Sequence, residues 1–323
     1  MKRLVALFLC ILVAANLSAC AATEFSDASP SSQTPDTQIP EGPYITYSPY
    51  VTDKATRENL GQDYELYCDL VDAVLNYDCV VSGFESESQF AAIWSTMRRD
   101  FAPAKKLCAD FGTSDTPYIY SDGSVQLQFL LDQNEHEQML NAFAQRIQAD
   151  LSIIDKEDTE VEIIAKLYYR VSGSMDHVQN GDILYDCILS NKGTSKEYAE
   201  YFMLLLNHAN IECYYAYGYD EEASQSWVIA KMGDQYYHFD PSWEEFFGNG
   251  YWFAVDDELR RNSLASEWKA AILAGVSVES IKGDSVVMEG RIDWITGEKI
   301  ALPSCPEYYK KNDRMTGAAP WLW

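Results

Sequence analysis

Histidine is scarce in this sequence: His136, His177, His208 and His238 are the only four in 323 residues. Few positions can therefore supply an imidazole base near neutral pH. Positive charge is thin as well, with 24 Lys and Arg against 50 Asp and Glu and a net charge of −26, or −28 once a leader carrying Lys2 and Arg3 is removed. A field of that sign argues against nucleic acid and anionic lipid as partners and favours solubility. No cysteine pair has CxxC or zinc-finger spacing, and no acidic run has the spacing of a calcium-binding loop. No metal and no cofactor is therefore expected.

The only long apolar run, Leu4–Leu17, follows Lys2 and Arg3 and ends in Leu17-Ser18-Ala19-Cys20. It has the layout of a secretory signal and is too short for a comfortable membrane span. Its end resembles the bacterial lipobox, which implies lipidation of Cys20 and a lipid-anchored cell-surface protein. Residues 21–43 are rich in Ser, Thr, Pro and acidic side chains, the composition of a disordered tether.

The most informative stretch is Gly193–Trp243. Thr194 and Glu197 form a capping-box pattern, and Tyr198, Phe202, Leu205, Leu206 and Ala209 follow on one helical face, with Asn210 as a left-handed stop. Ser195 then sits in the first turn, where free N–H groups and the helix dipole favour negative charge. A thiol there would be biased toward thiolate; a serine hydroxyl needs an adjacent base. Cys213–Tyr219 and Ser226–Met232 read as strands, and Gly233-Asp234 suits a two-residue turn into Gln235–Phe239. That turn pairs Met232 with Gln235, places Trp227 opposite Asp240, and leaves Gln225 diagonal to Asp240 on the same face.

These blocks resemble the transglutaminase-like domain of the papain-like thiol superfamily. The motifs are Gly193-Thr194-Ser195 before Tyr198-Ala199, then Gln225-Ser226-Trp227, then Tyr237-His238-Phe239-Asp240-Pro241-Ser242-Trp243, with Tyr251–Asp256 similar to a closing aromatic strand. The resemblance implies an α+β fold: a helix packed on an antiparallel sheet, preceded by a mainly helical N-terminal region. It also implies Ser195 at the position of the cysteine nucleophile, Gln225 at that of the histidine base, and Asp240 at that of the aspartate. Gln225 cannot act as a base near neutral pH, so no intact catalytic set is expected. His238 shares the expected face of Asp240 but reads as a packed histidine, and His208 falls about 20 Å from Ser195 along the helix.

The implied layout is a lipoprotein signal at 1–20, a tether at 21–43, a helical region with a hairpin at 44–157, the transglutaminase-like domain at 158–258 and an extension of unassigned fold at 259–323. Helices are expected around Tyr64–Leu75, around Phe90–Phe101 ending at Pro103, and around Met139–Leu151 and Ile163–Val171. A hairpin is expected at Ser121-Asp122-Gly123, a helical piece at Leu259–Leu273, and short strands at Val276–Met288 and Arg291–Ile300. The apolar end, Pro320–Trp323, reads as packing back on the domain. Cys68, Cys79, Cys108, Cys187, Cys213 and Cys305 form an even set that permits disulfides in an exported protein. Tyr217, Trp227 and Trp243 are the candidate ligand anchors, since Tyr and Trp favour peptides and glycans.

Three functional classes follow. The first is a lipid-anchored module binding peptide, protein or cell wall on a non-catalytic transglutaminase-like fold. The others are an acyltransferase or peptidase using Ser195 with another base, and a structural surface protein.

Overall fold

The computed structural model describes residues 43–110, 120–219, 224–248, 250–265 and 281–309, with isolated positions between 266 and 280. The leader with Cys20, residues 21–42 of the tether and the Pro320–Trp323 end lie outside the described residues.

The N-terminal part is helical wherever caps and apolar spacing coincide. Asp53 caps α1 (Lys54–Leu60), and α2 (Tyr64–Asn76) buries Tyr67, Leu70, Val71 and Val74. After β1 (Val80–Ser82), α3 (Glu87–Asp100) starts at the Ser86 cap and buries Phe90, Ile93, Trp94 and Met97. Pro103 does not end that helix; it opens α4 (Pro103–Leu107), where its missing N–H costs nothing. The Ser121-Asp122-Gly123 turn forms, with Gly123 N–H donating to the Tyr120 carbonyl. β2 (Ser124–Gln126) pairs antiparallel with β1, and the Tyr120 N–H donates to the Ser124 carbonyl across the turn; Tyr118 and Ile119 of the expected hairpin lie outside the described residues. Val81 and Val125 are partners in the β1–β2 pair and bury their side chains in the N-terminal core.

The helices α5 (Gln133–Leu151) and α6 (Glu160–Ser174), the latter with a complete Thr159–Glu162 capping box, lead into the central part. There β3 (Asp176–His177), α7 (Leu184–Ser190) and β4 (Lys192–Gly193) precede α8 (Ser195–His208). The strands β5 (Cys213–Tyr219), β6 (Ser224–Met232) and β7 (Gln235–Phe239) follow, then α9 (Pro241–Phe247), α10 (Asp257–Leu264) and β8 (Val287–Gly290). The main sheet is antiparallel in the order β7-β6-β5-β8, and Met232 pairs with Gln235 as the turn requires.

Both faces of this sheet are covered. Val228, Ala230 and Met232 pack in the same core as α5, α6 and α8, while Trp227 and Ile229 face Leu264, Val286 and Cys305. That is why β6 carries the apolar run Trp227–Ala230 and not a strict alternation. The segment expected as an extension of unassigned fold thus supplies an edge strand and a second covering layer. The helix α10 ends at Leu264, Trp268 and Ala271 are again helical, and the other residues of the expected helical span from 266 to Leu273 lie outside the described residues; among the described residues of 276–288 a strand begins at Val287, and Ile292 and Lys299 meet in a single bridge. The Tyr251–Asp256 segment is likewise no strand: Val255 makes one bridge, with His238.

All six cysteines expected to be available for disulfides are unpaired. Burial pushes the Cys108 thiol up to about 12 and the Cys187, Cys213 and Cys305 thiols above their ordinary value, which leaves them poor nucleophiles.

Gly290 lets β8 approach the returning chain, since a Cβ there would lie 2.1 Å from the Ile300 carbonyl oxygen. A backbone atom cannot swing aside as a side chain can. Gly290→Ala should lower stability by about 1–3 kcal/mol, read as a drop in the urea midpoint at unchanged slope.

Candidate functional site

Ser195 is the first residue of α8. Thr194 caps the helix, and the buried Glu197 carboxylate accepts from both the Thr194 N–H (2.8 Å) and its hydroxyl (2.7 Å). The site therefore has the expected helix start, but its carboxylate is used up in capping. Ser195 Oγ accepts a hydrogen bond from the Ser226 N–H at 3.2 Å, which ties it to the main chain of β6. Ser226 Oγ in turn accepts from the Tyr215 hydroxyl at 2.7 Å.

Gln225 and Asp240 meet directly: Gln225 Nε2 donates to Asp240 Oδ2 at 2.9 Å and to Ser242 Oγ at 2.7 Å. The register of β6 and β7 brings them together from 15 residues apart in sequence. Asp240 is also the N-cap of α9. Its Oδ1 accepts from the Ser242 N–H (3.2 Å), the Ser242 hydroxyl (2.8 Å) and the Trp243 N–H (3.1 Å). Gln225 and Asp240 thus meet directly, and Ser195 is tied to Ser226, the residue after Gln225.

Residues 147–256 match the transglutaminase-like superfamily. The chain carries a transglutaminase-like domain. Its match begins inside α5, upstream of the 158 boundary expected from the sequence. Among solved structures the chain is similar to a protein of Cytophaga hutchinsonii provisionally described as a cysteine protease, at 11% identity and a TM-score of 0.28, over 61% of this chain and 78% of that one. It is also similar to a provisionally assigned protease of Parabacteroides distasonis, at 11% identity and a TM-score of 0.31, over 61% of this chain and 42% of the other. No curated protein matches the sequence.

The transglutaminase-like site holds one residue that sequence reasoning missed. Arg260, on α10, is 0% exposed and its Nη2 lies 3.0 Å from Oδ2 of Asp240, itself 1% exposed. Its guanidinium carbon stands 4.0 Å from the Trp227 ring centroid, 5.1 Å from that of Trp243 and 5.5 Å from that of Trp252. The guanidinium nitrogens have no aligned hydrogen-bond partner, so ion pairing and the ring faces hold the cation. Burial pushes Arg260 down to about 10, with Asp240 opposing the shift, and it stays charged at neutral pH. Asp240 therefore meets a permanent cation as well as the Gln225 amide. Sequence offered only a basic residue on a short helix; its place behind Asp240 comes from the packing of α10.

The histidines are placed elsewhere. His238 is buried, accepts at Nδ1 from the Trp227 indole N–H (2.8 Å) and donates from Nε2 to Asp257 (2.9 Å). Burial lowers its pKa, against the pull of Asp257, so the ring is neutral and both nitrogens are used. Although His238, Asp257 and Cys305 offer ligand atoms within 4.8 Å of one another, the histidine has no lone pair left for a metal. His136 donates to the Val74 carbonyl, and His208 bonds to the main chain of Leu204 and Ser48. His177 is exposed on β3, paired with Gly193, two residues before Ser195.

The three candidate anchors separate. Trp227 is 0% exposed and forms core beside Arg260, so it offers no face to a ligand, contrary to expectation; Arg260 and Leu264 of α10 cover it. Trp243 is half-buried among Trp252, Phe247 and Trp268. Tyr217 lines a cavity of about 650 Å³ that also reaches Lys196, Glu200 and Tyr215 beside the Ser195 helix start.

Removing Arg260 should expose the cost of the buried carboxylate. Arg260→Met should destabilise the fold by about 3–5 kcal/mol, and adding Asp240→Asn should restore much of the loss, since the neutral amide keeps the α9 cap without needing a counter-charge. Chemical denaturation of the two variants measures both effects.

Proposed function

We propose that this chain is a membrane-anchored extracellular lipoprotein whose transglutaminase-like domain is non-catalytic and acts as a binding module for peptide or cell-wall material. The observation that carries the reading is the state of Asp240. Its carboxylate is engaged by Gln225, Ser242, the Trp243 N–H and Arg260, so no oxygen remains to orient a base, and Gln225 has none to offer. A serine hydroxyl at a helix start, with its oxygen already accepting from an amide, is not an activated nucleophile. The cavity beside the helix start, open and lined by tyrosines, supplies a place for ligand.

Ser195→Ala should leave ligand binding and the cellular phenotype unchanged, and the parent protein should show no turnover of peptide, ester or glutamine donor substrates. Turnover that disappears in Ser195→Ala would sink the proposal. One observation favours the enzymatic alternative, the placement of His177 beside Gly193. A working Ser195–His177 pair would lose activity in His177→Ala, whereas the binding reading expects no effect of that change.

The anchor rests on the lipobox resemblance at Cys20; no helix among the described residues is long and apolar enough to cross a membrane. Cys20→Ser should abolish incorporation of labelled fatty acid and move the protein out of the membrane fraction. Retention of label in that variant would overturn the assignment.

A further inference from the structure

The chain has two Asn-Gly pairs, Asn180-Gly181 and Asn249-Gly250. Such a pair is chemically labile, because no side chain shields the main-chain nitrogen of glycine from the preceding asparagine amide carbon. The reaction needs that nitrogen free of a hydrogen bond. The structure separates the two pairs on this requirement. Gly250 is buried, and its N–H donates to the Glu244 carboxylate at 2.6 Å, so its nitrogen is held. Asn180 and Gly181 are exposed and lie outside any helix or strand, between β3 and α7. Among the described residues nothing accepts from the Gly181 N–H, and the Asn180 amide has no partner.

The glycine of the labile pair is fixed by the helix start beside it. A Cβ on residue 181 would stand 2.3 Å from Oε2 of Glu197 and 2.8 Å from its Oε1. That carboxylate is buried and closes the capping box of α8, two residues after Ser195. It cannot swing aside without releasing the Thr194 N–H and hydroxyl, so a side chain at 181 is not accommodated.

We propose that Asn180-Gly181 is a self-modifying site and that its conversion loosens the start of α8. The Gly181 nitrogen loses its proton and attacks Cγ of Asn180; the new C–N bond closes a succinimide ring, and the side-chain nitrogen leaves as ammonia. Water then opens the ring at either carbonyl. Attack at the side-chain carbonyl gives aspartate, and attack at the main-chain carbonyl gives isoaspartate. One water is consumed, one ammonia is released and nothing is oxidised or reduced. Both products add a negative charge to the residue before Gly181, and isoaspartate also lengthens the main chain by a methylene. Glu197 has one ion-pair partner among the described residues, the exposed Lys196 at 3.6 Å, so added negative charge raises the cost of its buried carboxylate. The site does not depend on whether the domain binds or turns over a ligand.

The test ages the full-length protein in mildly alkaline buffer and follows residues 180 and 249 by peptide mapping in acid. The 180 peptide should gain the mass of an amide-to-acid exchange in two separable products, of which the isoaspartyl one accepts labelled methyl from an isoaspartyl methyltransferase. The 249 peptide should stay unchanged in the folded protein and convert alongside 180 in guanidinium chloride, where no fold holds the Gly250 nitrogen. Asn180→Gln, whose longer side chain would need a larger ring, should abolish the change at 180 with an unchanged circular dichroism spectrum. Aged parent protein should show a lower urea midpoint than fresh protein, and aged Asn180→Gln should not. A 180 peptide that stays intact, or that converts no faster than the 249 peptide in the folded protein, overturns the assignment of the site. Conversion at 180 with the parent's midpoint unmoved overturns the coupling to α8.

Discussion

The ion pair between Asp240 and Arg260 is the constraint on which the central part of the molecule depends. Both groups are withdrawn from water, and a buried carboxylate is tolerated only when its charge is matched and its oxygens are hydrogen-bonded. Asp240 meets both conditions by joining three elements: it caps α9, receives Gln225 from β6 and faces Arg260 from α10. Arg260 then organises its own surroundings, since Trp227, Trp243 and Trp252 lie around its guanidinium. Asp240 thus serves as a structural junction.

That arrangement also bears on what the domain can do. Catalysis by acyl transfer needs a nucleophile, a base within reach and an orienting group behind it. The helix start, the strand and the aspartate remain in register, so the scaffold that positions such groups is intact. A serine stands at the helix start and a glutamine on the strand. What persists beside Ser195 is space, five cations and a set of aromatic rings, contributed jointly by the N-terminal helices, the transglutaminase-like domain and the chain after β8. Function is read here from that site and not from the fold, which hosts many activities.

Much of the site was legible along the chain because its determinants are local. The Thr194–Glu197 box starts α8 through contacts three residues apart, and the Gly233-Asp234 turn sets the β6–β7 register that delivers Gln225 to Asp240. Distant partners were not legible in this way. The turn at 121–123 formed, but nothing local announced that its strand would join Val80–Ser82 or that Pro103, just past the end of one helix, would open another. Trp227 carried the composition of a ligand anchor and became core, because periodicity reports which face a residue occupies but not what covers that face.

The sequence by itself determined the elements and their order: the capped helix, the strand pairing across a two-residue turn, and the convergence of Ser195, Gln225 and Asp240 on one end of the sheet. These follow from backbone hydrogen bonding and side-chain period over short separations. Only the tertiary structure decided that Arg260 faces Asp240, that the segment after Asp256 covers the second face of the sheet, and that scattered cations from residues 98 to 291 line one cavity. Those outcomes depend on long-range packing, in which a charge or ring finds its partner by how the layers dock, and no spacing along the chain encodes that distance.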